Sequence, residues 1–356
     1  MARVSGSGRL ILEDGTVFTG SLFGCPRSVA GEVVFNTGMV GYPETLTDPS
    51  YRGQILVLTY PLIGNYGVPP CNSNNGLPPG FESERIQIEG LVVSTYTPYY
   101  SHWSASRSLG DWLAEHHVPA LEGVDTRALT KRLRQKGTML GKILASDDPL
   151  PFRDPNTENL VSSVSPMEPE LFQGGAKKVV LVDCGCKHSI IRCLRERGLT
   201  VVRVPWDHDF LAEDFDGLVI SNGPGDPKTC AITIDRVRLA MERRRPIFGI
   251  CLGHQIVALA AGADTYKLKF GHRSQNQPCI ESSTGRCYIT SQNHGYAVDP
   301  RTLPSGWEPW FTNANDGTNE GIRHTSRPFM SVQFHPEAAP GPVDTNFLFD
   351  EFVKFL

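Results

Sequence analysis

A cysteine stands between two glycines where an apolar run ends, in the sequence Phe-Gly-Ile-Cys-Leu-Gly-His-Gln at residues 248–255. A strand that passes through such glycines into a helix can turn sharply and lift Cys251 above the edge of a sheet. The sulfur would then lie near a helix N-terminus, which favours a thiolate, and the N–H of Leu252 would face a developing oxyanion. The pattern predicts a nucleophilic cysteine, although a small buried cysteine packed between glycines would give the same sequence.

Two further segments of the same half-chain offer the groups that such a nucleophile needs. His335 and Glu337 follow an apolar run, so His335 could be the base and Glu337 could orient its ring. The sequence Ser-Asn-Gly-Pro-Gly-Asp-Pro at residues 221–227 follows another apolar run, and its glycines would let a backbone N–H act as a second oxyanion donor. Each segment alone is also typical of an ordinary strand end or turn, so their combination carries the prediction.

Other chemically suggestive residues are assigned structural roles. His254 lies in the first turn of the expected helix, where it should point away from the nucleophile. Cys184 and Cys186 resemble a metal-binding pair but are expected to be core residues at a strand end. Residues 207–209, Asp-His-Asp, are expected in a solvated loop, and the arginines at 243–245 at a helix C-terminus. The sequence predicts no metal site.

The second half of the chain alternates apolar strands with helical patterns. Strands are predicted at residues 178–183, 200–204, 217–221 and 246–250, and helices at residues 189–197, 232–244 and 254–261. Such alternation predicts an α/β domain with an open, mostly parallel sheet and helices on both faces. The nucleophile and the glycine-rich segment then follow neighbouring strands.

The first half is expected to be mainly β with a few helices. Strands are predicted at residues 10–18 around an Asp-Gly turn, 31–36, 54–60 and 91–93, and helices at 108–116 and 125–133. We therefore expect an N-terminal domain at 1–150, a linker at 151–176 with the boundary near Gly174, and a second domain at 177–356. Residues 68–85 are expected to form a surface loop.

Composition excludes several classes of protein. The chain has 356 residues, 40% of them hydrophobic and 20% charged, with a net charge of −4, so it is neither disordered nor a basic nucleic-acid binder. No apolar run approaches the ~20 residues that span a bilayer, and the polar N-terminus lacks the apolar core of a secretory signal. Nine scattered cysteines suggest reduced thiols in a cytoplasmic protein.

Residues 249–255, together with His335-Pro336-Glu337, resemble the class I, triad-type glutamine amidotransferases. A closer resemblance is to the glutaminase subunit or domain of carbamoyl phosphate synthetase. It is carried by residues 222–227 and 291–296, and in the N-terminal half by residues 35–44, 47–51 and 123–127. The resemblance extends over the chain from about Leu10. The sequences of residues 60–67 and 313–317 are most similar to the eukaryotic pyrimidine-pathway enzyme.

The resemblance implies a Cys-His-Glu triad and a glutamine pocket. Cys251 would attack the side-chain amide of glutamine to form a glutamyl thioester, while His335 moves the protons and Glu337 fixes His335. Gly223 and Leu252 would form the oxyanion hole. The implied glutamine-binding residues are Ser50, Gly223, Gly225, Leu252, Gln255, Asn293, Gly295 and Tyr296. Ser50 would come from the N-terminal domain and place the pocket at the domain interface.

The resemblance also implies a partner. The released ammonia would pass to a carbamoyl phosphate synthetase subunit or fused domain, in pyrimidine or arginine synthesis. ATP and magnesium are expected only there, with no cofactor in this chain and no nucleic-acid or membrane partner. Three other functions remain open: a hydrolase acting alone, such as a γ-glutamyl peptidase; a non-catalytic regulatory subunit; and an amidotransferase of another synthetase, for example for anthranilate or GMP. The N-terminal motifs and the intact triad argue against them.

Overall fold

The computed structural model describes residues 6–71 and 77–356, and the chain divides into two units, Met1–Glu158 and Asn159–Leu356. The second unit therefore begins well before Gly174, where we expected the boundary. Leu160 and Val161 are buried, Val161 within the core of the second unit, and Glu170–Phe172 forms a strand there. Much of the expected linker is thus structured, because isolated apolar residues anchor it without a periodic pattern.

The first unit contains a β-barrel. Its strands are β1 (Ser7–Leu12), β2 (Val17–Gly24), β3 (Val29–Asn36), β4 (Gln54–Leu58), β5 (Leu62–Ile63), β6 (Gly90–Val92), β7 (Thr95–Tyr96), β8 (Pro119–Glu122) and β9 (Met139–Leu144). Its helices are α1 (Tyr42–Thr47), α2 (Leu109–Glu115) and α3 (Thr126–Lys136). The barrel closes in the order β1-β2-β8-β6-β4-β3-β9, and β5 pairs with β7. The expectation of a mainly β domain with a few helices is confirmed.

Local sequence signals account for several of these elements. The Asp14 side chain accepts from the N–H of Thr16 in the turn between β1 and β2, and Ser108 and Asp125 cap α2 and α3. The expected surface loop at 68–85 needs correction, because Val68 and Phe81 are buried in the core of this unit. Residues 72–76 of that loop lie outside the described residues.

The second unit is a ten-stranded sheet with helices. Its strands are β10 (Glu170–Phe172), β11 (Lys178–Asp183), β12 (Thr200–Pro205), β13 (Gly217–Ile220), β14 (Ile247–Ile250), β15 (Asp264–Glu281), β16 (Cys287–Asp299), β17 (Trp307–Asn313), β18 (Asn319–His324) and β19 (Phe329–Val332). Its helices are α4 (His188–Glu196), α5 (Ala231–Glu242), α6 (Leu252–Ala261) and α7 (Phe347–Val353). The strand order is β10-β12-β11-β13-β14-β19-β18-β17-β15-β16.

The predicted parallel strands form the centre of this sheet. β12, β11, β13, β14 and β19 are paired in parallel, so their carboxyl ends meet at one edge, where α/β proteins bind ligands. Phe248 of β14 packs on Phe349 and Phe352 of α7, whereas Ile247 joins the core that includes α5 and α6. Helices therefore cover both faces of this parallel part.

An antiparallel arm, which the sequence did not predict, extends the sheet beyond β19. β18, β17, β15 and β16 pair antiparallel in turn, and β10 adds an antiparallel strand at the other edge. β15 and β16 are rich in polar residues and alternate exposed and buried positions only irregularly, so they lack the apolar run that identified the central strands. In the described ranges, no helix is long and apolar enough to cross a membrane.

Candidate active site

Cys251 occupies a sharp turn between β14 and α6. Its backbone has φ 55° and ψ −103°, a conformation that residues other than glycine rarely adopt. A Cβ at Gly249 would collide with the carbonyl oxygen of Gly253, and a Cβ at Gly253 would collide with that of Ile220. The two glycines thus permit the close approach of strand and helix that holds Cys251 in this strained turn, as in a nucleophile elbow.

The cysteine is enclosed by strands on either side. Cys251 is 2% exposed, and its backbone N–H donates to the carbonyl oxygen of Val332 at the end of β19, over 2.9 Å. Its thiol donates to the carbonyl oxygen of Asn293 in β16, with Sγ 3.7 Å from the oxygen. Cys251 is therefore held between β19 of the parallel part and β16 of the antiparallel arm.

His335 and Glu337 lie just beyond the end of β19. The backbone N–H of His335 donates to the carbonyl oxygen of Ser291, over 2.9 Å. Its Nδ1 lies 2.6 Å from Oε1 of Glu337, and both side chains are almost fully buried. In the described chain, Nε2 of His335 has no hydrogen-bond partner. The ring is thus fixed through one nitrogen, and its other nitrogen is left for chemistry.

The charges around this pair shift both pKa values. Burial lowers the pKa of His335, but the Glu337 carboxylate raises it, and despite the opposing charge of Lys187 it ends above its ordinary value. Cys251 also contributes to the raised pKa of His335. Burial raises the pKa of Glu337, but Lys187 and His335 lower it below its ordinary value. The pair therefore stabilises the imidazolium that forms when His335 accepts a proton.

Lys187 is a member of this cluster that the sequence analysis missed. Its ammonium donates to Oε1 of Glu337 over 2.9 Å and to the carbonyl oxygen of Ala338 over 2.6 Å, and its side chain is 4% exposed. A lysine is almost never buried unless it is paired. Its position in the sequence could have indicated a site residue, because Lys187 follows β11 by four residues and so lies at the same carboxyl edge of the sheet as Cys251.

Replacing Lys187 with methionine is expected to lower the free energy of unfolding by about 3 kcal/mol, because Glu337 would lose one of its two buried cationic partners. Urea unfolding at pH 7 measures this change. The matched control is Lys228→Met. Lys228 pairs with Asp264 at 2.7 Å, but the two side chains are 51% and 60% exposed, so we expect a loss below about 1 kcal/mol. Equal losses in the two variants would contradict the stabilising role of Lys187.

The glycine-rich turn after β13 lies against the cysteine elbow. A Cβ at Gly223 would collide with the carbonyl oxygen of Cys184 and lie within 2.8 Å of the Leu252 side chain. The neighbouring Asn222 accepts the backbone N–H of Lys187 over 3.0 Å. Gly225 has φ 85°, which favours glycine. The structure thus brings Gly223 and Leu252, the two expected oxyanion donors, close together.

The other expected glutamine-binding residues fall into two groups. Gln255 donates to the carbonyl oxygen of Tyr296 over 2.9 Å and to Oε1 of Gln333 over 3.0 Å, so α6 is joined to β16, which also carries Asn293 and Gly295. Ser50 belongs to the first unit, in the short 3₁₀ helix Pro49–Tyr51. The binding roles of all these residues stay predictions.

His254 and Cys184, which the sequence analysis assigned structural roles, have structural contacts here. Nδ1 of His254 lies 2.9 Å from the Ser331 hydroxyl, and burial lowers the pKa of His254 to about 3. Its contact with β19 rather than with Cys251 agrees with the expected orientation. Cys184 is fully buried, and burial raises its pKa well above the ordinary value.

Family comparisons match both halves of the chain. Residues 180–355 match the model of the family described as "Glutamine amidotransferase class-I". Residues 10–143 match the model described as "Carbamoyl-phosphate synthase small chain, CPSase domain". The second half of the chain is therefore similar to class I glutamine amidotransferases, and the first half to carbamoyl-phosphate synthase small chains. The strained cysteine and the His335–Glu337 pair therefore lie in the amidotransferase part, and the barrel in the small-chain part.

Three relatives are similar over almost the whole chain. Multifunctional protein pyrABCN of Emericella nidulans is 54% identical, covering 99% of this chain and 17% of its own length. Multifunctional protein CAD of Squalus acanthias is 55% identical, and the match covers 97% of this chain and 16% of the relative's length. Human mitochondrial carbamoyl-phosphate synthase [ammonia] is 51% identical, and the match covers 98% of this chain and 23% of the relative's length. The chain therefore spans about a fifth of the length of the curated relatives it matches.

Proposed function

We propose that this chain is the glutaminase component of a glutamine-hydrolysing carbamoyl phosphate synthetase. The observation that carries the proposal is the placement of Cys251 in a strained elbow beside the His335–Glu337 pair. The match of the first half to a carbamoyl-phosphate synthase small chain supports the choice of synthetase. It disfavours both a hydrolase acting alone and an amidotransferase of another synthetase.

In the first half of the reaction, Cys251 acts as nucleophile and His335 as base. Glu337, whose Oε1 also accepts from Lys187, holds the ring of His335 through Nδ1, and the raised pKa of His335 lets Nε2 take the proton from Sγ. The thiolate attacks the side-chain amide carbon of glutamine, and the backbone N–H groups of Gly223 and Leu252 stabilise the oxyanion. His335 then gives its proton to the leaving nitrogen, which departs as ammonia and leaves a glutamyl thioester on Cys251.

In the second half, water replaces ammonia. His335 removes a proton from the water that attacks the thioester carbon, and the thiolate leaves as glutamate forms. The remaining residues that we assign to glutamine, Ser50, Gly225, Gln255, Asn293, Gly295 and Tyr296, would hold its α-amino and α-carboxylate groups. These fixed contacts would place the amide carbon over Sγ at each turnover.

The ammonia would be consumed by a synthetase, either a separate subunit or a domain fused to this one. It must stay unprotonated to remain a nucleophile, so direct transfer into the partner is preferable to release into water. ATP and magnesium would act in the synthetase and not here. The multifunctional relatives are in keeping with a fused synthetase in pyrimidine synthesis, although supply to arginine synthesis is chemically equivalent. We place the protein in the cytoplasm, in keeping with nine free cysteines.

Glutamate release from glutamine tests the proposal, measured with and without the synthetase, ATP and bicarbonate. We expect slow release by the chain alone and strong stimulation when all three are added. Omitting bicarbonate is the control, because it leaves the protein contacts intact but removes the acceptor chemistry. Equal, fast release in every condition would identify a self-sufficient hydrolase. No release in any condition would identify a non-catalytic subunit, and either result would overturn the proposal.

A further inference from the structure

A second cluster of ionisable side chains lies in the antiparallel arm, apart from the triad. His272 of β15 and His294 of β16 are direct cross-strand partners, with ring centroids 4.9 Å apart. Glu320 of β18 reaches the same point, and all three side chains are buried. One ligand atom from each lies within 4.8 Å of the others. We propose that this cluster is a structural zinc site.

The spacing of these atoms suits a small tetrahedral ion. Oε1 of Glu320 lies 3.2 Å from Nδ1 of His272 and 4.0 Å from Nε2 of His294. Oε1 of Gln292 lies 3.0 Å from that Nδ1 and 3.1 Å from that Nε2. Zinc bonds of about 2.0–2.1 Å place tetrahedral ligands about 3.3–3.4 Å apart. A modest adjustment would therefore let these four groups enclose one ion.

The outer contacts of the two histidines suit the same role. Nε2 of His272 lies 2.9 Å from Oδ2 of Asp316, and Nδ1 of His294 lies 2.8 Å from the carbonyl oxygen of Tyr296. Each ring can therefore donate its outer N–H to an oxygen and present its inner nitrogen as a lone pair. This carboxylate or carbonyl support of a ligating histidine is the usual second layer of a zinc site.

One buried atom of the cluster has no bonding partner. Oε1 of Glu320 accepts from Asn313 over 3.1 Å, but Oε2 has no hydrogen-bond partner in the described chain, although Glu320 is completely buried. An unsatisfied buried carboxylate oxygen is costly. A bound dication would neutralise this carboxylate, and a set of two imidazoles with oxygen ligands favours zinc over magnesium or calcium.

The zinc site would stabilise β16, the strand that contacts Cys251 through Asn293. His294 follows Asn293, whose carbonyl oxygen accepts the Cys251 thiol, and the carbonyl oxygen of Glu320 accepts the N–H of Gln333 over 2.9 Å. Zinc would therefore tie β15, β16 and β18 together next to the residues that align Cys251. With four protein ligands it would have no open position, as is typical of structural zinc.

Metal content and affinity of the purified chain test the inference. After chelator treatment and addition of Zn²⁺ alone, we expect one equivalent of bound zinc and a raised unfolding temperature. Glu320→Gln and His272→Gln should abolish this binding. Asp316→Asn, which removes only an outer support and is partly exposed, should weaken it about 10–100-fold. His324→Gln on the same strand, β18, is the matched control and should bind normally.

The nine thiols could also capture zinc, so a crystal soaked with Zn²⁺ locates the ion by anomalous scattering. A peak between His272 and His294 supports the inference without any variant. A peak at Cys251, equal binding by wild type and the Glu320→Gln and His272→Gln variants, or no bound zinc would overturn it. The cluster would then be a buried hydrogen-bonded network only. Circular dichroism of each metal-free variant shows that lost binding does not reflect lost folding.

Discussion

Replacing Cys251 with serine is expected to reduce glutamine-dependent glutamate release by at least about 10⁴-fold. The substitution changes one atom in a buried side chain and keeps the strained turn, so the fold should persist. Serine, however, is a much weaker nucleophile near neutral pH, and the thioester route depends on sulfur. Glutamate release in the presence of the synthetase, ATP and bicarbonate measures the loss.

The same variant distinguishes the glutaminase activity from the synthetase activity. Carbamoyl phosphate synthesis from added ammonia should be unchanged in Cys251→Ser, because free ammonia bypasses the thioester. Cys287→Ser, at an exposed thiol, is the matched control and should keep both activities. Loss of the ammonia-dependent activity in Cys251→Ser would contradict the proposed division of labour, and retained glutaminase activity would show that Cys251 is not the nucleophile.

Replacing His335 with asparagine is expected to lower kcat for glutamine hydrolysis by about 10²–10⁴-fold, the usual range for loss of a general acid–base group. The variant also removes the cation paired with Glu337, so it should alter the pH dependence of stability. Urea unfolding from pH 4 to pH 10 measures that dependence alongside activity at pH 7.

The sign of the pH effect follows from the two shifted groups. His335 has a raised pKa in the folded chain, so its contribution is complete below its ordinary value of 6.5 and is lost as pH rises through the folded-state pKa. Glu337 has a lowered pKa, so its contribution is complete above its ordinary value of 4.5 and is lost as pH falls through the folded-state pKa. The deficit of His335→Asn should therefore be largest between about pH 4.5 and 6.5.

A partly exposed histidine provides the control for this effect. His324 lies on β18 and makes edge-to-face contacts with Trp307 and Phe329, and burial lowers its pKa rather than raising it. His324→Asn should leave kcat unchanged and show no deficit centred between pH 4.5 and 6.5. A pH-independent deficit in His335→Asn would mean that packing, rather than charge pairing with Glu337, explains the lost stability.

The sequence alone located the reactive groups and the strands that carry them. The glycine–cysteine–glycine pattern was visible because a tight strand-to-helix turn demands small residues at fixed spacing. The central strands were visible because parallel strands buried on both faces need continuous apolar runs. The family resemblance was visible because its motifs are contiguous in the chain.

Only the tertiary structure revealed the groups that act across long sequence separations. Lys187 lies 150 positions from Glu337, and nothing in its local sequence indicates a buried ion pair. His272, His294 and Glu320 lie on three strands that were not predicted, because polar strands with irregular alternation resemble loops. Sequence spacing records which side chains share a turn or a face, whereas burial and charge pairing depend on which strands the fold makes neighbours.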